Sequence, residues 1–183
     1  MKKEKKKLIY HVFYCDTCNK KIKLKVYIKV AKKAKKAPSK RELNKLNRNY
    51  QLNLTKKAIQ KWVNHFRDAG KPCISCNTNN DVIYCGGHYK TAGGHPETAL
   101  NSLNIFKQCN FHCNSQLSGN LNGNKNSKGM IQGIIDLYGQ NRLDYLNSPK
   151  AWANYTIEEI IEIRAYYNYL IRNNIKDDAR RVY

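Results

Sequence analysis

Acidic residues are scarce in this chain. Across 183 residues, 13 Asp and Glu stand against 34 Lys and Arg, leaving a formal net charge of +21. A charge of that size repels itself unless a polyanion is close. Nucleic acid is the natural polyanion, because Lys and Arg that bind phosphates release condensed counterions. An anionic membrane surface is the competing partner. Long apolar runs are also missing, so no segment is expected to span a bilayer. The start of the chain, MKKEKKKLIYHVF, is basic but has neither an apolar signal core nor a small-residue cleavage site. The cytosol is therefore the expected compartment. No internal repeat is present, and the length suits one compact domain or a small domain with extensions.

Cysteine is present in an odd number, seven, and five of these fall between Lys71 and Asn120. Four of the five form two short pairs, Cys73/Cys76 and Cys109/Cys113. Without an export signal, paired cysteines favour metal over disulfides. Tetrahedral zinc takes four soft ligands from two rigid turns. Cys73-x2-Cys76 has the usual knuckle spacing, whereas Cys109-x3-Cys113 is one residue longer. His112 stands at the x2 spacing from Cys109 and is an alternative fourth ligand. The segment is glycine-rich and poor in large apolar residues, so a structural Zn2+ would replace a missing core.

Around this block the chain reads in four parts. Residues 1–40 form a basic N-terminal arm that opens with a lysine run expected to be disordered. Cys15 and Cys18 make a CxxC knuckle, half a zinc site, with His11 as a conceivable third ligand. Ile22, Leu24, Val26, Ile28 and Val30 then alternate with Lys23, Lys25, Tyr27 and Lys29, which predicts a strand. Residues 41–70 predict amphipathic basic helices. One starts near Ser39 and Glu42, and a second starts at Thr55. The second buries Ala58, Ile59, Trp62, Val63 and Phe66 and ends at Gly70. Its other face carries Lys56, Lys57, Lys61, Asn64 and Arg67; together with Lys90, these cations are candidate phosphate contacts.

Residues 71–125 hold the cysteine block. Residues 126–183 predict helical support. A helix runs from Met130 to a stop at Gly139, and a short helix or turn covers 140–148. A last helix is capped by Thr156 with Glu159 and buries Ile157, Ile160, Ile161, Ile163, Tyr167 and Leu170. About two thirds of all Lys and Arg precede the cysteine block. The expected fold class is α+β.

Between the cysteine pairs lie the candidates for chemistry. His88 follows Cys85-Gly86-Gly87, Asn104 sits in LNIFKQC, and Asn114 follows Cys113 directly. A histidine, then an asparagine, then a polar ligand at a helix start is the order used by HNH endonucleases, which build a ββα-metal core. Phosphodiester hydrolysis needs a base, and a neutral imidazole suits that role near pH 7. His88 is the candidate base, and Asn104 is the candidate that orients it through the intervening loop. Asn114 is the candidate ligand for a catalytic Mg2+ or Mn2+ that neutralises the phosphate and the departing 3′ oxygen. His95, in a His-Pro turn, is a weaker candidate.

The tracts PCISCN, GGHYKTAG, LNIFKQC and CNSQLSGN closely resemble the NinG family of bacteriophage lambda, also called Rap. The likeness runs from about Ala58 to Arg172. It implies a structure-selective endonuclease that cuts Holliday junctions and other branched DNA in recombination, in the host cytoplasm when phage-encoded. It also implies a zinc-containing HNH-like core with His88, Asn104 and Asn114 in the roles above, and it favours Cys113 over His112. Junction resolution needs paired incisions, which is compatible with a homodimer. Three positions depart from the family. Cys85-Gly86-Gly87-His88 stands where Asp-Ala-Gly-His is common, so a natural magnesium ligand is absent. The second knuckle carries an extra residue, and the arm lacks the further cysteines that often follow its CxxC. The alternative reading is a zinc-stapled DNA-binding recombination protein without catalysis; a third is an RNA-binding accessory protein.

Overall fold

The period-two tract does form a strand, β2 (Lys21–Lys29), and it pairs antiparallel with β1 (Lys6–Tyr14). The register sets Ile22 opposite Phe13 and Val26 opposite Ile9. Lys6 and Lys7, expected within a disordered run, instead open β1. The computed structural model describes residues 38–80 and 82–178 in full, together with the backbone of these two strands. Cys15 and Cys18 lie outside the described residues. The chain divides into two compact units, Met1–Ser39 and Lys40–Tyr183.

The second unit opens with α1 (Lys40–Lys45) and α2 (Arg48–Trp62). Asn47 caps α2, its side chain accepting from the Tyr50 N–H at 3.0 Å. The helix therefore starts well before Thr55, where the sequence predicted it. Thr55 is mid-helix because it does not need to cap: its buried hydroxyl reaches the carbonyls of Gln51 at 3.0 Å and Ile160 at 2.9 Å. After Trp62 the backbone widens into a π-helical turn, Val63–Arg67, and the chain leaves it at Gly70 with φ +79°.

Next come β3 (Tyr84–His88) and β4 (Ile105–Cys109), an antiparallel pair with His88 opposite Ile105 and Tyr84 opposite Cys109. A second π-helical segment, Asn110–Gln116, follows β4 directly. Three helices complete the unit: α3 (Gly129–Tyr138), α4 (Gln140–Asn147) and α5 (Ile157–Arg172). Both halves of the expected capping box form on α5. Thr156 Oγ1 accepts from the Glu159 N–H at 3.2 Å, and Glu159 Oε2 accepts from the Thr156 N–H at 2.8 Å. With two small antiparallel sheets and five α-helices among the described residues, the fold class is α+β. No helix among them is long and apolar enough to cross a membrane.

Strand β4 is the spine of this unit, because consecutive strand residues point to opposite faces. Ile105 joins the core made by the α2 stripe, Ala58, Ile59, Trp62 and Val63, against Ile160, Ile163, Tyr167 and Leu170 of α5. Phe106 joins the core of Ile74, Met130, Ile134, Leu143 and Leu146, under α3 and α4. Ile161, expected inside, is 38% exposed, because it falls off the α5 stripe that meets α2.

Helix α3 packs directly on the first cysteine knuckle. A Cβ added at Gly133 would lie 1.7 Å from the Ile74 carbonyl oxygen, with no flexible side chain to move aside. Gly133→Ala is therefore expected to push α3 off the knuckle. The cost should be at least about 1–3 kcal/mol, the usual range for overpacking. A thermal or denaturant unfolding curve beside the parent chain checks it; an unchanged midpoint refutes the close contact.

Candidate active site and metal centre

The first knuckle is a turn held from both sides. The Ile74 N–H bonds the Lys107 carbonyl in β4 at 2.9 Å, and the Gly129 N–H bonds the Ser75 carbonyl at 2.9 Å. The second knuckle begins at the end of β4. Its extra residue is absorbed by the wider winding of the π-helical segment, which turns Cys113 back so that its N–H donates to Cys109 Sγ at 3.4 Å. The result is one cluster: the sulfurs of Cys73, Cys76, Cys109 and Cys113 all lie within 4.8 Å of one another. Cys109 Sγ is 3.7 Å from Cys73 Sγ and 3.8 Å from Cys76 Sγ. A tetrahedral ion with metal–sulfur bonds of about 2.3 Å needs sulfur–sulfur edges of about 3.8 Å.

The donors around the cluster suit thiolates as well. The Cys109 N–H points at Cys73 Sγ at 3.3 Å, and Asn120 Nδ2 approaches Cys113 Sγ at 3.8 Å. Without a cation the thiols differ: at Cys73 burial is outweighed by backbone hydrogen bonds from Cys109, Cys76 and Ser75, which lower its pKa. Burial pushes Cys76 up to about 11, with the Cys73 sulfur adding to the rise, and burial and the neighbouring sulfurs raise Cys113 too. A metal ion such as zinc fits here as the countercharge. His112 is exposed and outside the cluster, so Cys113 completes the set.

The glycine pair before His88 is required by packing. A Cβ at Gly86 would meet the Gln60 side chain at 2.6 Å, and one at Gly87 would meet Gln108 Oε1 at 2.3 Å. Gln60 Nε2 also donates to the Gly86 carbonyl at 3.1 Å, tying β3 to α2. Gln108 is wholly buried, and its Nε2 donates to Ser75 Oγ and the Gly119 carbonyl, each at 2.6 Å. These two glutamines set the level of the strand that carries His88. The sequence did not single out either. The only available signal for Gln60 was its position one turn beyond Lys56 and Lys57 on the same helix face.

His88 is part-buried, and its Nε2 lies 3.2 Å from the Ala99 carbonyl oxygen. A carbonyl can only accept, so this contact places the proton on Nε2 and leaves the lone pair on Nδ1. Burial holds the imidazole below its ordinary protonation range, and the Lys56 charge lowers it further. Asn104 is fully buried and does not touch the ring. Its Nδ2 donates to the carbonyls of Lys90 at 2.9 Å and Thr98 at 3.2 Å, while its Oδ1 accepts from the Lys90 N–H at 2.8 Å. It thus binds both ends of the loop that starts at His88 and carries the Ala99 carbonyl.

His88 and Asn114 line one cleft of about 480 Å³, together with Gln60, Cys85, Thr91, Asn110 and Ser118. An adjoining cleft of about 370 Å³ shares His88, Gln60 and Ala92 and adds Lys56, Lys57 and Asn53. Among the described lining residues of both clefts there is no carboxylate. The donors offered to a hard cation are the amide oxygens of Asn114 and Asn110 and the hydroxyls of Thr91 and Ser118, all neutral.

The predicted phosphate contacts divide. Lys56 and Lys57 face the imidazole cleft, and Lys61 is exposed on the same helix outside it. Lys90 is part-buried, with its ammonium 5.3 Å from the Tyr89 ring centre. Arg67 must be removed from the list. Its guanidinium bonds Asp68 twice, at 2.7 and 2.9 Å, and the carbonyls of Ser102 and Ile105, each at 2.6 Å. The π-helical turn rotates Arg67 off the lysine face and into the interior, where Asp68 also accepts from the Tyr138 hydroxyl at 2.6 Å. His95 pairs with Glu97 at 3.0 Å and lines neither cleft.

One metal ion per chain is expected at the thiol cluster of protein purified without chelator. Cys113→Ser should lose it and His112→Ala should keep it; elemental analysis of the three proteins checks both. Retention by Cys113→Ser together with loss by His112→Ala reverses the ligand assignment.

The family profile described as "Bacteriophage Lambda NinG protein" matches residues 4–177. The chain is similar to Protein ninG of Escherichia phage lambda, 30% identical over 132 residues that cover 69% of this chain and 58% of that protein. It is 28% identical over 126 residues to Protein ninG of Escherichia phage 933W, covering 69% and 59%. A shorter match, 34% over 62 residues, links it to Protein ninG of Salmonella phage P22, covering 34% and 30%. The matches thus span less than two thirds of these relatives' lengths. No solved structure matches the chain significantly. With nearly its whole length matched by one profile, the chain belongs to the NinG family.

Proposed function

We propose that this chain is a DNA endonuclease of the HNH-like ββα type, stapled by zinc and acting on branched recombination intermediates such as Holliday junctions. The observation that carries the reading is the shared cleft. It brings His88 and Asn114, which are 26 positions apart in sequence, to one surface beside Lys56 and Lys57. The hairpin β3–β4 and the π-helical segment supply a β-β-helix order around the thiol cluster, in keeping with that type of core.

In this reading His88 takes a proton from water at Nδ1, while the Ala99 carbonyl keeps Nε2 protonated and the ring oriented. Asn104 is a positioning residue, acting on the loop and not on the substrate. Lys56 and Lys57 hold the phosphate. A divalent Mg2+ or Mn2+, when bound, neutralises charge on the scissile phosphate and the departing oxygen. Asn114 would be the side chain that holds it. With no carboxylate in the cleft, that cation would rely on the nucleic acid for negative charge.

The missing carboxylate also favours the second reading, in which the chain binds junction DNA without cutting it. Cys85 occupies the position where the family commonly has Asp, and burial holds its thiol up at about 11, so it adds no negative charge at neutral pH.

A four-way-junction cleavage assay with Mg2+ and with Mn2+ separates the two. Cleavage by the parent chain and loss by about a hundred-fold or more in His88→Ala supports a general base. Full activity in the variant refutes that assignment, and tight binding with no cutting in either metal selects the second reading. The pH profile gives a further check. The base must be neutral, and its protonation range is lowered, so the acid limb of activity is expected below the ordinary imidazole value of about 6.5. Lys56→Gln removes a positive neighbour and should move that limb upward. A limb that stays in place removes Lys56 as a cause.

A further inference from the structure

On α2, toward its N-terminal end, lies a separate basic cavity. Lys40, Arg41, Asn44 and Lys45 come from α1, Tyr50, Gln51 and Leu54 from α2, and Arg164 from α5; together they enclose about 540 Å³. Four of these residues are cations, and among the described residues none of the four has a carboxylate partner. Arg164 Nη1, a donor, is buried with no hydrogen-bond partner. Folded proteins rarely leave such atoms unsatisfied. A buried guanidinium N–H on a residue that lines this cation-rich cavity lacks an acceptor, and an anionic oxygen is an acceptor that also offsets the positive charge.

We propose that this cavity is a second phosphate site, which holds the nucleic-acid backbone at a distance from the imidazole cleft. The proposal rests on the nucleic-acid reading above but not on catalysis. Helix α2 connects the two places. Tyr50, Gln51 and Leu54 precede Lys56, Lys57 and Gln60 by about six residues, roughly 9 Å of helix axis at 1.5 Å per residue. That span corresponds to about two or three phosphates of one strand at roughly 3.4 Å of axial rise each. Six residues also turn the helix by about 120° from alignment, so a strand that reached both places would cross α2 obliquely. The site draws on α1 and α5, more than a hundred residues apart in sequence, so it exists only in the folded unit.

The test uses the full chain and a variant with exposed residues only, Lys40→Gln/Arg41→Gln/Lys45→Gln. A control variant removes equal charge elsewhere, at exposed Lys125, Arg172 and Lys176, each changed to Gln. Affinity for a labelled four-way junction is measured over a salt series, and thermal melting confirms that both variants are folded. The cavity variant should bind at least about ten-fold more weakly, with the slope of log K against log salt reduced by about two to three. The control should change the slope by about one or less. Equal losses in cavity and control variants overturn the site, as does an unchanged slope. A cavity variant that loses binding to anionic phospholipid vesicles while keeping junction binding also overturns it, and assigns the cavity to a lipid headgroup. Junction binding that drops in the cavity variant while the parent never cleaves leaves the anchor standing and removes only the nuclease reading. A parent chain that binds no nucleic acid removes both.

Discussion

Four sulfurs packed within 4.8 Å of one another are the constraint around which this unit is arranged. Thiols so close cannot all ionise beside each other without a cation between them. An ion that relieved this would also join two distant turns, one after the π-helical turn of Val63–Arg67 and one at the end of β4. Everything near the histidine is attached to those turns. Strand β4 ends in Cys109 and pairs with β3, which ends in His88. Helix α3 rests on the backbone of Ile74 between Cys73 and Cys76. The segment between the pairs has few large apolar side chains of its own and borrows its rigidity from the cluster and from the two flanking cores.

Neutral polar groups supply the second level of support. Gln60, Gln108 and Asn104 are not the kind of side chain that drives folding, since each must find partners before burial is tolerable. Their value here is geometric. Gln60 and Gln108 fill the volume that Cβ atoms at Gly86 and Gly87 would occupy. Asn104 closes the loop between Lys90 and Thr98 with four hydrogen bonds. The imidazole at the end of β3 is held by that loop through a single carbonyl, which gives a defined tautomer with one nitrogen free.

Charge is distributed by the same logic. The ion pair of Arg67 with Asp68 is interior, and its guanidinium also lies near the rings of Trp62, Phe106 and Tyr138. It joins the π-helical turn to β4 and α3. Among the described residues, Lys56 and Lys57 of α2 and Lys40, Arg41 and Lys45 of α1 have no acidic partner. The chain therefore separates cations that hold the fold from cations available to a polyanion.

The sequence by itself determined the two amphipathic helices α2 and α5, the α5 capping box, the stop at Gly139 and the four thiols, because each rests on local periodicity or spacing. The family resemblance was likewise legible in contiguous tracts. Tertiary structure decided the rest. Asn47 displaced Thr55 as the start of α2, since the Thr55 hydroxyl is engaged by α5. The π-helical turn carried Arg67 inward, a rotation that ordinary helical periodicity does not anticipate. The choice of Cys113 over His112, the buttressing by Gln60 and Gln108, and the meeting of His88 with Asn114 all depend on segments far apart in the chain. Such contacts leave no periodic trace: they are set by how β4 is shared between two cores.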